Sequence, residues 1–191
     1  MKTSTVQSYR PIAWRDGKVS LIDQTRLPAE EVWLDLGDYR EVVSAIKEMR
    51  IRGAPAIGVA GAYAIALAAV EASEVQTQFM PALESAALEI REARPTGANL
   101  AWAVDRMMTV ARDTGVSDTG GPKDVVARLI TESARIQDED EAANVAMGRL
   151  GTALLPQGGA VLTHCNAGAL ATGGYGTALG VVRAAWADGR I

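Results

Sequence analysis

The sequence predicts an α/β protein in two unequal parts: a small antiparallel β-meander with a helical N-terminal domain, then the first strand-loop-helix unit of a parallel-sheet domain. Three observations predict it. Short β-favouring runs separated by turn residues precede Gly37; from Asp38 onward apolar residues recur at helical spacing in several successive segments; and after Gly159 a β-favouring run, a glycine cluster and another helical pattern follow in that order.

The first runs are Ile12 to Trp14, Lys18 to Asp23 and Glu31 to Leu36. RDGK between the first two predicts a hairpin turn, and TRLPAE between the next two a loop. Past Asp38, Val42, Val43, Ile46 and Met49 share one helical face, in a helix expected to end near Arg52 and Gly53. Pro55 then suits the first turn of a long helix to about Ala72. Its small residues, Ala56, Gly58, Ala60, Gly61 and Ala64, let neighbours approach closely, and its all-round apolar character predicts burial. Two more helices are expected over Gln78 to Glu92 and Ala98 to Thr114, split by RPTG, where Arg94 precedes a proline and takes extended or turn geometry. GVSDTGGPKD, from Gly115 to Asp124, is the best linker in the chain and divides it into 1–119 and 120–191. A long helix from Pro122 to about Leu155 follows, and its acidic patch at Asp138 to Glu141 reads as a solvated face rather than a metal or catalytic cluster.

Ala160 to His164 is expected to be a strand, the glycines at 168, 173, 174 and 176 a loop, and Thr177 to Ala187 a helix. That is the opening of a Rossmann-like domain, in which chemistry collects at the C-terminal ends of parallel strands. A strand there needs ladder partners and its helix needs a sheet to cover, so these 191 residues are expected to be the N-terminal part of a longer protein and not a working enzyme alone.

Composition narrows the function. The net charge of −4, without a basic run or aromatic and arginine interleaving, argues against a nucleic-acid surface. No apolar run approaches the length of a membrane span, and MKTSTVQSYRP has no signal-peptide core, so the expectation is a soluble, cytoplasmic protein without a membrane partner. One cysteine excludes an internal disulfide or a cysteine-based zinc site, and with one histidine a metal site would need clustered carboxylates at ligand spacing, which are not found. No metal or other cofactor is expected. GYGTALG at Gly174 to Gly180 has the wrong spacing for a dinucleotide fingerprint, and the sequence has neither a GxxxxGK[ST] phosphate loop nor a GxSxG elbow.

The remaining candidates are few. Cys165 falls where the expected strand meets the glycine loop, a place where backbone amides and a helix start favour a thiolate; a free cysteine is also commonly a small packing residue, and spacing alone leaves both readings open. His164 is its neighbour and, pointing to the opposite face of a strand, is read as structural. Arg52 in RGAP and Arg94 in RPTG each stand at a helix boundary, where a guanidinium reaches an anion alongside free helix amides, against the commoner fate of capping a helix end.

RGAPAIGVAGAYAIALAA at Arg52 to Ala69, RPTGANLAWAVDRM at Arg94 to Met107 and THCNAGALATGGYGTALGVVRAA at Thr163 to Ala185 together resemble the methylthioribose-1-phosphate isomerase family, in the superfamily that also contains the regulatory subunits of translation initiation factor 2B. The resemblance runs over nearly the whole chain. It implies an aldose to ketose isomerisation in methionine salvage, without metal or nucleotide, with a sugar phosphate as the small-molecule partner. Arg52, Gly53 and Ala54 would meet the phosphate and sugar, Arg94 would bind substrate, and Cys165 would be the active-site thiol. It also implies a downstream aspartate that would lie beyond Ile191, and either a homodimer or association with the missing C-terminal half. Two other readings stay open: a ribose-1,5-bisphosphate isomerase-like enzyme, which needs a second phosphate site, and a non-catalytic regulatory subunit that binds a sugar phosphate or nucleotide.

Overall fold

The structure is a computed structural model describing residues 9–74, 78–115, 121–158 and 160–191. Strands β1 (Ile12–Arg15), β2 (Lys18–Ile22) and β3 (Trp33–Leu36) form the expected antiparallel meander, with Arg15 paired to Lys18 and Val19 to Leu36. The hairpin turns at Asp16 and Gly17, both with positive φ (49° and 77°), which is the mirror-image turn that an Asp-Gly pair favours because it matches the strand twist.

Helix α1 (Tyr39–Lys47) starts in a capping box: the Asp38 carboxylate accepts from the Arg40 N–H at 2.8 Å, and the Glu41 carboxylate accepts from the Asp38 N–H at 3.2 Å. It ends several residues before the expected Arg52. Met49 adopts φ 60° and the Arg50 N–H turns back to the Ala45 carbonyl at 2.9 Å, a left-handed stop that periodicity could not show because no glycine marks it. The early stop frees residues 50–53 to cross to the meander, where the Gln24 N–H donates to the Arg50 carbonyl at 2.8 Å.

Helix α2 (Ala54–Ala72) is the buried axis. It is long and apolar enough by length and composition to cross a membrane, but most of its surface is covered by α1, by α3 (Phe79–Glu92), α4 (Ala98–Gly115) and α5 (Pro122–Thr152), and by β1 and β2. A Cβ on Gly58 would sit 3.0 Å from the Asn99 carbonyl oxygen, and one on Gly61 2.4 Å from Leu100 Cδ1, so these glycines let the start of α4 lie directly on α2. The described part of the expected 115–124 linker runs straight into α5, where the Asp124 carboxylate accepts from the Gly121 N–H at 2.9 Å; residues 116–120 fall outside the described residues.

Two expectations are corrected. Residues 160–164 form no strand: among the described residues the sheet is the meander alone, the segment has no ladder partner, and Leu162 is 97% exposed. The acidic patch is also not a simple solvated face. Arg10 pairs with Asp138 at 2.8 Å and Glu141 at 2.6 Å, Arg106 pairs with Glu139 at 2.6 Å, and Asp140 turns inward to the glycine loop. Helix α6 (Ala178–Ala187) then lies along α5. The ring of Tyr175 is wedged at their crossing, where a Cβ on either Gly148 or Gly180 would come within 2.9 Å of it.

Candidate functional site

The residues singled out from the sequence come together in one cavity of about 840 Å³. Arg52, Gly53, Ala54, Arg94 and Cys165 all line it, from segments that are distant in the chain. Two helix beginnings make two of its walls. At α2, Gly53 is the N-cap with φ 97°, no side chain caps the helix, and Pro55 occupies the first turn; at α4, the RPTG turn closes through the Gly97 N–H donating to the Arg94 carbonyl at 2.9 Å, and Gly97, Ala98 and Asn99 face the cavity. The uncapped first-turn N–H groups of α2 and the positive dipole ends of both helices favour an anion there.

The charges agree with the dipoles. Arg52 and Arg94 are exposed, no carboxylate lines the cavity, and neither arginine has an acidic partner among the described residues, although the other described arginines of α1, α3 and α4 are largely taken up in ion pairs. Arg52 is steadied by a single bond, Nη2 donating to the Gln24 carbonyl at 3.3 Å. That orientation leaves the rest of its guanidinium fork for a ligand.

Cys165 is a free, exposed thiol in the left-handed region, φ 67°, and not at the end of a paired strand. Its position comes from the loop that follows. Gly168 and Gly176 bridge each other, and a Cβ on Gly176 would lie 2.7 Å from the Gly168 carbonyl carbon, so the loop closes on itself through two glycines. Between them the short 3-10 turn Ala169–Ala171 seats against α2: a Cβ on Gly53 would come within 2.4 Å of the Ala171 Cα. His164 is exposed, lies outside the cavity wall and makes no hydrogen bond among the described residues, so it is neither a partner for Cys165 nor the structural residue expected.

Sequence reasoning missed four side chains that assemble this site. Gln24, 2% exposed, accepts Arg52 on its carbonyl and donates through Nε2 to the Leu170 carbonyl at 2.7 Å, so one residue of the meander steadies both the arginine and the loop. Gln137, Asp140 and Asn144 on α5 bind the loop at Gly173 and Gly174. Burial pushes the Asp140 carboxyl above its ordinary value, partly opposed by its bonds from the Gly173 N–H and Asn144. Their only sequence signal was polar residues three and four apart on an otherwise ordinary helix.

A second cavity of about 300 Å³ shares Pro55 and Asn99 with the first, and Glu139 and Asp140 line it together with Trp102. Glu139 there is already paired with Arg106. Among the described residues no group of histidine, cysteine and carboxylates could hold a metal ion.

With this geometry, the sequence pattern of the initiation factor 2 subunit family matches residues 50–191. The chain belongs to that family. Members of similar sequence include the methylthioribose-1-phosphate isomerase of Geobacter metallireducens, 51% identical over 185 residues that span 96% of this chain and 52% of that protein. Among solved structures of the family, the crystal structure of 5-methylthioribose 1-phosphate isomerase from Pyrococcus horikoshii OT3 matches with a TM-score of 0.86 at 35% identity, covering 95% of this chain and 50% of that one. Translation initiation factor eIF-2B, subunit delta, from A. fulgidus matches with a TM-score of 0.79 at 38% identity, covering 95% of this chain and 52% of that one. The chain thus spans about half the length of the family members it matches.

Proposed function

We propose that this chain supplies the phosphate-binding wall and the thiol of an aldose–ketose isomerase that converts 5-methylthioribose 1-phosphate into 5-methylthioribulose 1-phosphate in methionine salvage. The observation that carries the reading is the meeting of Arg52, Arg94 and Cys165 in one carboxylate-free cavity at two helix beginnings. Relatives named methylthioribose-1-phosphate isomerase are about half identical to this chain over its matched length.

On this reading the substrate phosphate lies between Arg52 and Arg94, against the N–H groups of Gly53 and Ala54. Phosphate on the anomeric carbon blocks free ring opening, so the protein must assist opening and then move a hydrogen between C2 and C1 in a site shielded from water. Cys165 holds a proton at the sugar, and Met49 and Pro55 offer an apolar wall to the methylthio group. The second acid/base group comes from outside the described lining, in the further half that the relatives possess. Residues 160–164 would gain ladder partners in the same half, completing a Rossmann-like sheet over 120–191, while 1–119 remains the meander and helical part. The exposed apolar residues Leu150, Leu154, Leu162 and Trp186 mark the surface that this half, or a second copy in a homodimer, covers. On this reading the enzyme is cytoplasmic and its small-molecule partner is the sugar phosphate.

A bisphosphate substrate is disfavoured, since Arg52 and Arg94 are the only cations among the described residues that line the cavity. The test is turnover by the full-length protein incubated with 5-methylthioribose 1-phosphate. Cys165→Ser is expected to lower kcat by orders of magnitude while the fold persists, because the thiol is exposed and supports no packing. Near wild-type turnover by that variant would return Cys165 to an ordinary surface residue. Arg52→Ala and Arg94→Ala should each weaken substrate binding by about 1.5–3 kcal/mol, the range for hydrogen bonds to charged groups. Tight binding without any ketose product in the wild-type protein would favour a regulatory subunit instead.

A further inference from the structure

The loop that presents Cys165 is held by side chains of α5 bonding directly to its backbone. Gln137, Asp140 and Asn144 stand at spacings of three and four residues, on one helical face. Asp140 Oδ2 accepts from the Gly173 N–H at 2.7 Å, Gln137 Nε2 donates to the Gly173 carbonyl at 2.8 Å, and Asn144 Nδ2 donates to the Gly174 carbonyl at 3.3 Å. The helix therefore satisfies both backbone groups of one glycine and the carbonyl of the next.

Each member is itself oriented. Tyr63, its phenol pushed up to about 12 by burial, stays protonated and donates to Gln137 Oε1 at 2.5 Å. Accepting there leaves both protons of Gln137 Nε2 for carbonyls, one to Gly173 and one to Ile12 at 2.7 Å. Asn144 donates to Asp140 at 3.0 Å, which turns the carboxylate toward Gly173. The approach is close at this point, since a Cβ on Gly173 would fall 3.1 Å from both Asp140 Oδ2 and the Gln137 carbonyl oxygen.

We propose that Gln137, Asp140 and Asn144 are positioning residues which set the Cys165 thiol relative to Arg52 and Arg94. The segment 167–176 is one body: it bridges itself at Gly168 and Gly176, rests on Gly53 at Ala171 and is tied to the meander by Gln24 at Leu170. Cys165 hangs two residues before it, while Arg52 and Arg94 reach the cavity from the segments that lead into α2 and α4. Releasing the α5 anchor shifts the thiol, while Arg52 keeps its own bond to the Gln24 carbonyl. The kinetic part of this inference rests on the isomerase reading; the thiol part does not.

Two readouts are taken on the full-length protein. The first is kcat and KM for 5-methylthioribose 1-phosphate; the second is the rate at which iodoacetamide alkylates the Cys165 peptide, followed by mass spectrometry. Asp140→Ala is expected to lower kcat about tenfold to a hundredfold, the scale of a misplacement near 1 Å, with KM changed less than about twofold. It is also expected to change the Cys165 alkylation rate by about threefold or more, because access and local field both move with the loop. Asp140→Asn keeps an acceptor for the Gly173 N–H and should restore most of both. Asn144→Ala, which removes only the Gly174 bond and the orienting bond to Asp140, should shift both readouts in the same direction by less, and it carries the test if Asp140→Ala does not fold. Alkylation unchanged within twofold in the folded variants overturns the proposal, as does a loss of kcat that Asp140→Asn fails to relieve. If wild-type protein has no isomerase activity, the function reading fails while alkylation alone still decides the positioning role.

Discussion

Around α2 the chain is held by apolar contact, with Ile57, Ile65, Leu83, Ile90, Leu100 and Met107 all fully buried against one another's helices. Between Cys165 and Ala187 it is held by hydrogen bonds from buried polar side chains to loop backbone and by glycines that allow backbones to touch, while Leu154 and Trp186 nearby remain 85% and 74% exposed. Apolar packing is non-directional and tolerates small displacement; a backbone hydrogen bond fixes an atom to within tenths of an ångström. The first region gives the site a rigid wall, and the second places a reactive group against it. Stability and thiol placement should therefore respond to different substitutions.

The sharpest way to break the comparison is at the point where the regions touch. Gly53→Val sets a side chain where φ is 97° and where even a Cβ overlaps the backbone of Ala171, so it drives the loop off α2 and should cost about 100-fold or more in kcat. Retained turnover would mean that the contact between α2 and the loop does not set the site. Leu83→Ala, deep in the apolar region and remote from the cavity wall, should lower unfolding free energy by about 2–5 kcal/mol in denaturant titration while leaving turnover per folded molecule near wild type. A matching loss of specific activity would show that the two regions are coupled more tightly than their contacts indicate. The smallest effect belongs to Leu154→Gln, which should change stability of the isolated chain by no more than about 0.5 kcal/mol because the side chain is exposed. In the full-length protein a much larger effect is expected at the same position, since the proposed function covers that surface.

Much of the first region was legible in the chain. The Asp16-Gly17 hairpin, Pro55 at the start of α2 and the apolar periods of α3 and α4 are local signals, and each element formed within a residue or two of its expected bounds. The exceptions have local causes too. Helix α1 stopped early because Met49 took a left-handed conformation that no glycine advertised, and residues 160–164 had the composition of a strand without a neighbour to pair with.

The candidate site divides in the same way. The sequence singled out the candidate groups, because Arg52 and Arg94 stand at helix boundaries and Cys165 stands beside a glycine run, relations between neighbours in the chain to which the family resemblance attached roles. Only the tertiary structure decided that they share one cavity, through the close crossing of α2 and α4 at Gly58 and Gly61 and the seating of Ala171 on Gly53. It also decided that Asp140 turns inward while Asp138 and Glu141 meet Arg10, since a carboxylate is committed by the donors brought to it from elsewhere in the fold. A helical face records spacing, and the partner that gives the spacing its use arrives from residues more than thirty positions away, such as Gly173.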